Sequence, residues 1–541
     1  MDANALLGAA VGAAATAAVC LAPGALGAAA AAPASSAESP EPDPLVVEAV
    51  DWAAAHGMLV RPQGTQFDHC PFSLLPTPFP RGAYEAAAAL GPLFGKLTDA
   101  VARDTEWLHQ TLEAAGQGDE FTEKLLQISR TVNKEGLGQQ LQLGILRSDY
   151  MLHEPTEAEQ KLPLFTAQAG SDAKPKQFMQ VELNCIASSF GCMGNLTSQL
   201  HEYLLTRYPA EAAALSPALS SGGDGVAPNH NLTKLPKGIA AAHSAYVSRG
   251  GSADAVVIFV VQDGEANSVD QRLLEYGLWD QHGIKVLRRS LGELHRCASL
   301  KEDAQTGKKL LLLEDTEGGA GSAPIEVSVA YYRAGYTPDD YKDVGGAEWE
   351  ARLLVERSAA VKCPSIDYHL TGAKKVQQAL AAPNALERFV SASEAAQLRT
   401  CFAGLFPAEE PSAVAAACSN PELFVLKPQR EGGGNNYYGD DIPSTLGGMD
   451  EAERKAYILM QRIFPPPQAG RLLRAGQVLE AETVSELGIF STFLGDGSKG
   501  GKGGGVLLNE VAGHMLRTKP READEGGVAA GFAVIDSPYL F

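Results

Sequence analysis

A lysine, an arginine and a glutamate stand just ahead of three glycines in the segment Phe424 to Gly439, FVLKPQREGGGNNYYG. The apolar run that ends in Lys427 reads as a strand feeding a loop. Glycines let backbone N–H groups approach a phosphate closely, and successive amides can form an anion-binding concavity. Lys427 and Arg430 add positive charge there, and Glu431 beside Asn435 and Asn436 offers oxygen ligands for a hard cation such as magnesium. No GK[ST] follows the glycines, so this is not a Walker A loop. A bare GGG would read first as a charged surface loop; the whole string, strand included, favours a nucleotide phosphate site.

Glu182 and Asn184, in VELNCIASSFG, are two apart on an alternating segment, so both side chains share one strand face and can reach one ion. Alone, such a pair is usually just solvated. With Glu431 it matches what magnesium on ATP takes, one or two carboxylates plus phosphate and water oxygens. The following Ala187 to Gly191 offers small hydroxyls and backbone amides to a substrate. Leu516 to Gly531, LRTKPREADEGGVAAG, carries Arg517 and Lys519 on an expected strand, then a Gly/Ala-rich turn with few large side chains to pack. It reads either as an ordinary connection or as a loop able to close over a site. Arg147, Arg333 and the Lys374–Lys375 pair each end a segment, and each taken singly reads as a solvated charge.

The elements that must position these residues read as α/β. The periodicity predicts helices from Leu45 to about Tyr150, within them Val46–His56 and Ala86–Ala114, interrupted by the Pro-rich His69–Arg81. Phe178–Ile186 is an expected strand and Thr197–Leu205 a helix. Ser216–Lys237 reads as loop. Ala255–Val261, AVVIFVV, has the continuous β-branched character of a strand buried on both faces; helix Asp270–His282 and strand Ile284–Arg288 complete a βαβ unit. Glu326–Tyr332 is another strand, Ala347–Ser358 a helix, Glu302–Ala323 a hairpin with a Gly-rich continuation, Ala381–Cys418 mainly helix, and Leu423–Lys427 a strand. Gly495–Gly505 is a glycine-lysine loop between two strands.

The chain has 541 residues, so two or more lobes are expected, and 45% hydrophobic content leaves ample material for cores. A net charge of −21 repels phosphate backbones and anionic lipid, which argues against nucleic-acid binding and stable membrane association. The eight cysteines show no CxxC spacing; they read as reduced thiols and supply no zinc site. Residues 1–44 are alanine-rich, with Asp2 the only charge before Glu38. A secretory signal wants a positive start and a transit peptide wants arginine, so this stretch reads as a disordered extension or as an organelle-targeting segment. The expected location is the cytoplasm, or a plastid or other organelle if the extension is a targeting segment.

RSDYM, VELNCIASSFG, DQR with Asn267 before it, RAGY, KKVQQ, VLKPQREGGGNN, YILMQRIF, SELGIF, LRTK and DEGGVAAGF follow one another in this order. Together they resemble eukaryotic glutathione synthetase from about residue 45 to the C-terminus, with YILMQRIF and DEGGVAAGF closer to the plant and green-algal branch. The resemblance implies an α/β ATP-grasp fold with a permuted or inserted parallel-sheet substrate-binding domain and a lid subdomain, usually as a homodimer. It divides the chain into residues 45–249, a helical region and the first part of the ATP-grasp body; 250–360, the substrate-binding domain; and 361–541, the body with its glycine-rich and alanine-rich loops.

By the same resemblance magnesium is held by Glu182, Asn184 and Glu431. ATP contacts fall to these two carboxylates, Lys374, Lys427, Gly432, Gly433, Gly434, Asn435, Asn436, Tyr438, Met460, Gln461, Arg462, Ile463, Glu486, Lys519 and Glu525. The γ-glutamylcysteine and glycine subsites fall to Arg147, Ile186, Ala187, Ser188, Ser189, Glu265, Ala266, Asn267, Gln271, Arg333, Ala334, Gly335, Tyr336, Arg517, Val528 and Ala529. The implied reaction phosphorylates the cysteinyl carboxylate of the dipeptide with ATP, and the glycine amine then attacks the acyl phosphate. Lys374, Lys427 and Arg517 would neutralise the spreading negative charge. Gln461 departs from the glutamate of the animal branch, and the N-terminal extension, the Glu302–Ala323 insertion and the Gly495–Gly505 loop look additional. A homoglutathione synthetase using β-alanine, and a non-catalytic nucleotide- or thiol-binding protein, are the alternatives; Ala529–Ala530 resembles the glycine-using form.

Overall fold

The computed structural model describes residues 43–541 apart from 63, 166–175, 220–222, 305, 315–322, 343–345, 500–504, 525 and 529–530. The alanine-rich extension, Glu525, Ala529, most of the Gly-rich part of the Glu302–Ala323 insertion and the centre of the glycine-lysine loop therefore lie outside the described residues.

Helices α1 (Pro44–Ala55), α2 (Arg81–Arg103), α3 (Thr105–Gly118) and α4 (Glu120–Glu135) open the described chain. The expected single helix over 86–114 is two helices. Asp104 ends α2, and its carboxylate accepts the Trp107 backbone N–H at 3.3 Å, so it caps α3. Asp119 caps α4 in the same way. Helical structure stops well short of Tyr150, because Leu141–Leu152 is a strand, β1. Both of its faces are buried, so its sequence lacks the alternation that betrays a half-exposed strand. Strand β2 (Phe178–Asn184) follows, then helix α5 (Gly191–Arg207). The expected loop over 216–237 is also corrected: helix α6 (Asn231–Ser248) begins inside it and tolerates Pro236 in its second turn.

The βαβ expectation holds as strand β3 (Val256–Val260), helix α7 (Ser268–His282) and strand β4 (Val286–Arg289). Strands β5 (Ile325–Tyr332) and β6 (Val361–Cys363) join them, and the pairings β3–β4, β3–β5 and β5–β6 are all parallel. Strands Ala298–Glu302 and Lys309–Leu313 form a hairpin on the edge of this sheet, which begins earlier than the one expected over Glu302–Ala323. Helix α8 (Ala347–Arg357) and helix α9 (Lys374–Leu380) lead to a smaller, four-stranded sheet. Its strands are β7 (Leu405–Pro407), β8 (Phe424–Pro428), β9 (Tyr437–Tyr438) and β10 (Tyr457–Gln461), ordered β7–β10–β8–β9. Residues 381–418 are thus only partly helical.

The largest sheet is seven-stranded. Strands β11 (Gln468–Arg474), β12 (Gln477–Asp496), β13 (Gly505–Pro520) and β14 (Val534–Asp536) combine with the short Phe72–Ser73, β1 and β2. In it β13, β12, β1 and β2 lie side by side, all antiparallel. Residues separated by more than 300 positions in sequence therefore share one sheet face. The protein is a mixed α/β structure built on several sheets. The cysteines among the described residues are free thiols.

One buried carboxyl makes stability depend on pH. Asp367, 3% exposed, accepts hydrogen bonds from Ser129 Oγ and from Asn133 Nδ2 at 3.1 Å. Burial outweighs these bonds and pushes its pKa up to about 6. The unfolded chain ionises this group near pH ~3.9, so its contribution is fully present below that value and is lost as pH rises through about 6. Asp367→Asn removes the titration. Its melting temperature relative to the parent should climb between about pH 4 and pH 6 and stay level above it; parallel profiles would contradict the assignment.

Candidate active site

The face shared by β13, β12, β1 and β2 is the floor of a cavity of about 550 Å³. Registers place Arg517 opposite Glu486, Gly488 opposite Asp149, Asp149 opposite Glu182, and Arg147 opposite Asn184. Partners in register point to the same side of a sheet, which is why one face collects so many charges. The other wall comes from the smaller sheet: Lys427 at the end of β8, the glycine loop between β8 and β9, and Met460 and Gln461 at the end of β10. Lys427 Nζ crosses to the floor and donates to the Val181 carbonyl at 3.1 Å. Lys374, first residue of α9, donates to the Arg430 carbonyl at 2.6 Å; its Nζ lies 3.1 Å from Glu431 and 3.7 Å from Glu182.

Gly432, Gly433 and Gly434 all have positive φ, 101°, 73° and 75°, a backbone that side chains with a Cβ resist. The loop can therefore turn tightly, and a Cβ added at Gly432 would stand 3.6 Å from the Tyr336 ring, one at Gly433 3.9 Å from Gly527 Cα in the Gly/Ala-rich segment. Glycines of both segments, Gly432 and Gly433 from one and Gly526 and Gly527 from the other, line the cavity. Ala187 and Phe190 also have positive φ, 51° and 65°, which is costly for non-glycine residues. The turn is pinned from both sides. Asp270 accepts the N–H groups of Phe190, Cys192 and Met193 at 2.9, 3.0 and 3.1 Å. Arg333 donates to the Ser188 carbonyl and to Ser189 Oγ, both at 2.7 Å.

The charges control one another. Burial opposes ionisation of Glu182, but Lys374, Lys427, Arg517 and Arg147 outweigh it and bring its pKa down to about 2. Burial raises the pKa of Glu431 and of Glu486, and it lowers that of Lys427. Burial also opposes the charge on Lys374, yet Glu431 and Glu182 hold its pKa above the ordinary lysine value. The cavity therefore keeps one firmly ionised carboxylate, Glu182, next to a firmly charged ammonium, Lys374.

Of the residues singled out in the sequence, the walls include Arg147, Glu182, Asn184, Ile186, Ala187, Ser188, Ser189, Tyr336, Lys374, Lys427 and Glu431. Gly432, Gly433, Asn435, Asn436, Tyr438, Met460, Gln461, Arg462, Ile463, Glu486, Arg517, Lys519 and Val528 line it as well. Gly434 faces a separate polar hollow on the outer side of the loop. Glu265, Ala266, Asn267, Gln271, Arg333, Ala334 and Gly335 do not line the cavity. Glu265 accepts the Asn267 backbone N–H at 2.9 Å and Gln271 Nε2 at 3.2 Å, and the side-chain nitrogen and oxygen of the buried Asn267 both lack a partner among the described residues.

Asn184 Nδ2 donates to Asp149 at 2.9 Å and to the Arg147 carbonyl at 3.3 Å, so its oxygen is the atom left over for a ligand. Two carboxylates and an amide oxygen are the hard donors magnesium prefers. Among the described residues no three His, Cys, Asp or Glu side chains form a complete metal cage. Gln461 commits its amide elsewhere: its oxygen accepts the Gly404 N–H at 3.0 Å and its nitrogen donates to the buried Glu159, also at 3.0 Å. A glutamate there would set two carboxylates face to face, so glutamine suits this chain.

Met151, Glu154, Thr156, Phe464, Val484, Met515 and Asp524 also line the cavity, and the sequence reading missed them; Arg430, expected to add charge there, lines it too. Met151 was within reach, being two and four residues from Asp149 and Arg147 on one strand.

A family model described as the eukaryotic glutathione synthase ATP-binding domain matches residues 40–540. The chloroplastic glutathione synthetase of Solanum lycopersicum is 39% identical over 509 residues, covering 92% of this chain and 84% of that protein. The glutathione synthetase of Dictyostelium discoideum is 38% identical over 512 residues (91% and 98%), and that of Homo sapiens 37% over 508 (92% and 96%). Among solved structures, a glutathione synthetase-like effector from Globodera pallida in its apo form superposes with a TM-score of 0.67. It has 21% identity and covers 92% of this chain and 96% of that one, a likeness of fold. The chain belongs to the eukaryotic glutathione synthase family, a family of ATP-dependent ligases.

Proposed function

We propose that this cavity joins glycine to γ-L-glutamyl-L-cysteine, forming glutathione, ADP and phosphate by way of an acyl phosphate. The observation that carries the reading is the meeting of Glu182, Asn184 and Glu431 with Lys374, Lys427, Arg147 and Arg517 in one cavity lined by glycines of two segments. ATP lies between the smaller sheet and the floor, its phosphates against the Gly432–Asn436 amides, Lys374 and Lys427. Its adenine sits by Met460 to Ile463, in the arrangement of an ATP-grasp body. Magnesium, when bound to Glu182, Asn184 and Glu431, neutralises charge on the phosphates.

A cysteinyl carboxylate oxygen attacks the γ-phosphorus and ADP leaves. The glycine amine then attacks the acyl carbon, loses a proton, and phosphate leaves with the carboxylate oxygen. Arg517 and Arg147 hold the carboxylate end of the dipeptide, and Arg333, Gln271 and the unpartnered Asn267 amide take its γ-glutamyl end. Val528 and Ala529 border the glycine. Positioning and charge neutralisation suffice for such a transfer, so no side-chain nucleophile is needed. Exclusion of water by the two loops protects the acyl phosphate.

A homodimer is the proposed assembly. The tomato and Arabidopsis relatives are named as chloroplastic, which supports a plastid location, with the cytoplasm as the other reading. No helix among the described residues is long and apolar enough to cross a membrane.

ADP release from the purified protein with ATP, magnesium and γ-glutamylcysteine tests the reading when glycine, β-alanine, serine and no acceptor are compared. Fastest release with glycine, and none without magnesium, is expected. Preference for β-alanine would change the product, and ATP binding without turnover would favour a non-catalytic protein.

A further inference from the structure

Asp149 has no assigned role above, yet both arginines at the dipeptide end of the site are attached to it. Its carboxylate is 0% exposed. Oδ1 accepts Arg147 Nε at 2.7 Å; Oδ2 accepts Arg147 Nη2 at 2.8 Å, Arg517 Nη2 at 2.8 Å and Asn184 Nδ2 at 2.9 Å. Arg147 and Asp149 lie on one strand face, but Arg517 is two strands away, across β12. It reaches Asp149 diagonally across β12, where Glu486 stands opposite Arg517 and Gly488 opposite Asp149. A Cβ at Gly488 would stand 2.8 Å from Asp149 Oδ1 and 2.9 Å from Arg147 Cδ. The gap left by this glycine lets one carboxylate hold two guanidinium groups.

We infer that Asp149 is a positioning residue for the ligation, fixing Arg147 and Arg517 at one spacing so that together they receive the carboxylate end of the dipeptide. Planar guanidinium groups recognise a carboxylate only in a defined orientation, so a shared anchor sets the spacing before the substrate arrives. Without it each arginine turns toward its next acceptor: Arg517 to Glu486, Arg147 to the Ser189 carbonyl. Lys374 and Lys427 make no contact with Asp149. Asn184, a proposed magnesium ligand, also donates to Asp149, so the ATP end should be spared at saturating magnesium.

The inference rests on the proposed ligation, and Asp149→Asn tests it. That change keeps the shape but removes the charge and aims an N–H group at a guanidinium. The KM for γ-glutamylcysteine, and its Kd by calorimetry, should rise about 10- to 100-fold, with the KM for ATP within about threefold of the parent. Gly488→Ala keeps every polar group, displaces the carboxylate sterically, and should give the same selective rise even if Asp149→Asn fails to fold. Unchanged dipeptide binding in a folded variant, or equal losses for dipeptide and ATP, would overturn the inference. So would failure of both variants to fold, which would make the role structural. A parent protein that does not ligate at all would instead sink the proposed function.

Discussion

Glu431→Gln is expected to slow ADP release at saturating substrates by about 100-fold or more, with the melting temperature little changed. Glutamine has the size of glutamate, and Glu431 sits at the mouth of the glycine loop rather than in a core, with 21% of its side chain exposed. What is lost is charge: one of the two carboxylates proposed to face the phosphates, and the partner 3.1 Å from Lys374. Glu182 remains and keeps Lys374 charged, so the loss should fall on magnesium and the transition state rather than on folding. The check is a steady-state rate over a magnesium titration beside a thermal melt. A near-normal rate would mean that Glu431 is not a ligand of the cation.

Lys374→Met should lower kcat/KM for ATP by about 100-fold, and Lys374→Arg should recover little of it. Lys374 begins α9, where a helix dipole disfavours a cation, and it is only 4% exposed. Neither placement helps the fold. Its surroundings offset that cost: Glu431, Glu182 and the Arg430 carbonyl converge on one ammonium. A compact ammonium fits this enclosure, whereas a planar guanidinium does not. Activity within a few-fold of the parent in Lys374→Met would remove Lys374 from the phosphate site.

What was legible in the sequence followed short-range rules. The Glu182/Asn184 pair was visible because two residues apart on a strand is one face, and the glycine loop because phosphate chemistry and left-handed backbone both favour glycine. The βαβ unit was visible in AVVIFVV, a strand buried on both faces. The same double burial concealed β1, whose LQLGILRSDYML does not alternate. Pro236 concealed the start of α6, because a proline normally argues against helix. Here it packs where α7 presents Gly277, whose missing side chain makes room.

Asp149 could have been noticed two residues from Arg147, but its importance comes from Arg517, 368 residues away in sequence. The role of Gly488 is invisible without the register of three strands. Local pattern thus exposes candidate groups, while long-range strand pairing decides which groups share a ligand.

The most direct test uses γ-glutamylcysteine carrying 18O in both oxygens of the cysteinyl carboxylate, with ATP, magnesium and glycine, and follows the phosphate by 31P NMR. If the carboxylate is phosphorylated in this cavity, each turnover moves one 18O into phosphate and leaves the other in the new amide. Phosphate free of 18O, with glutathione still formed, would contradict the acyl-phosphate route.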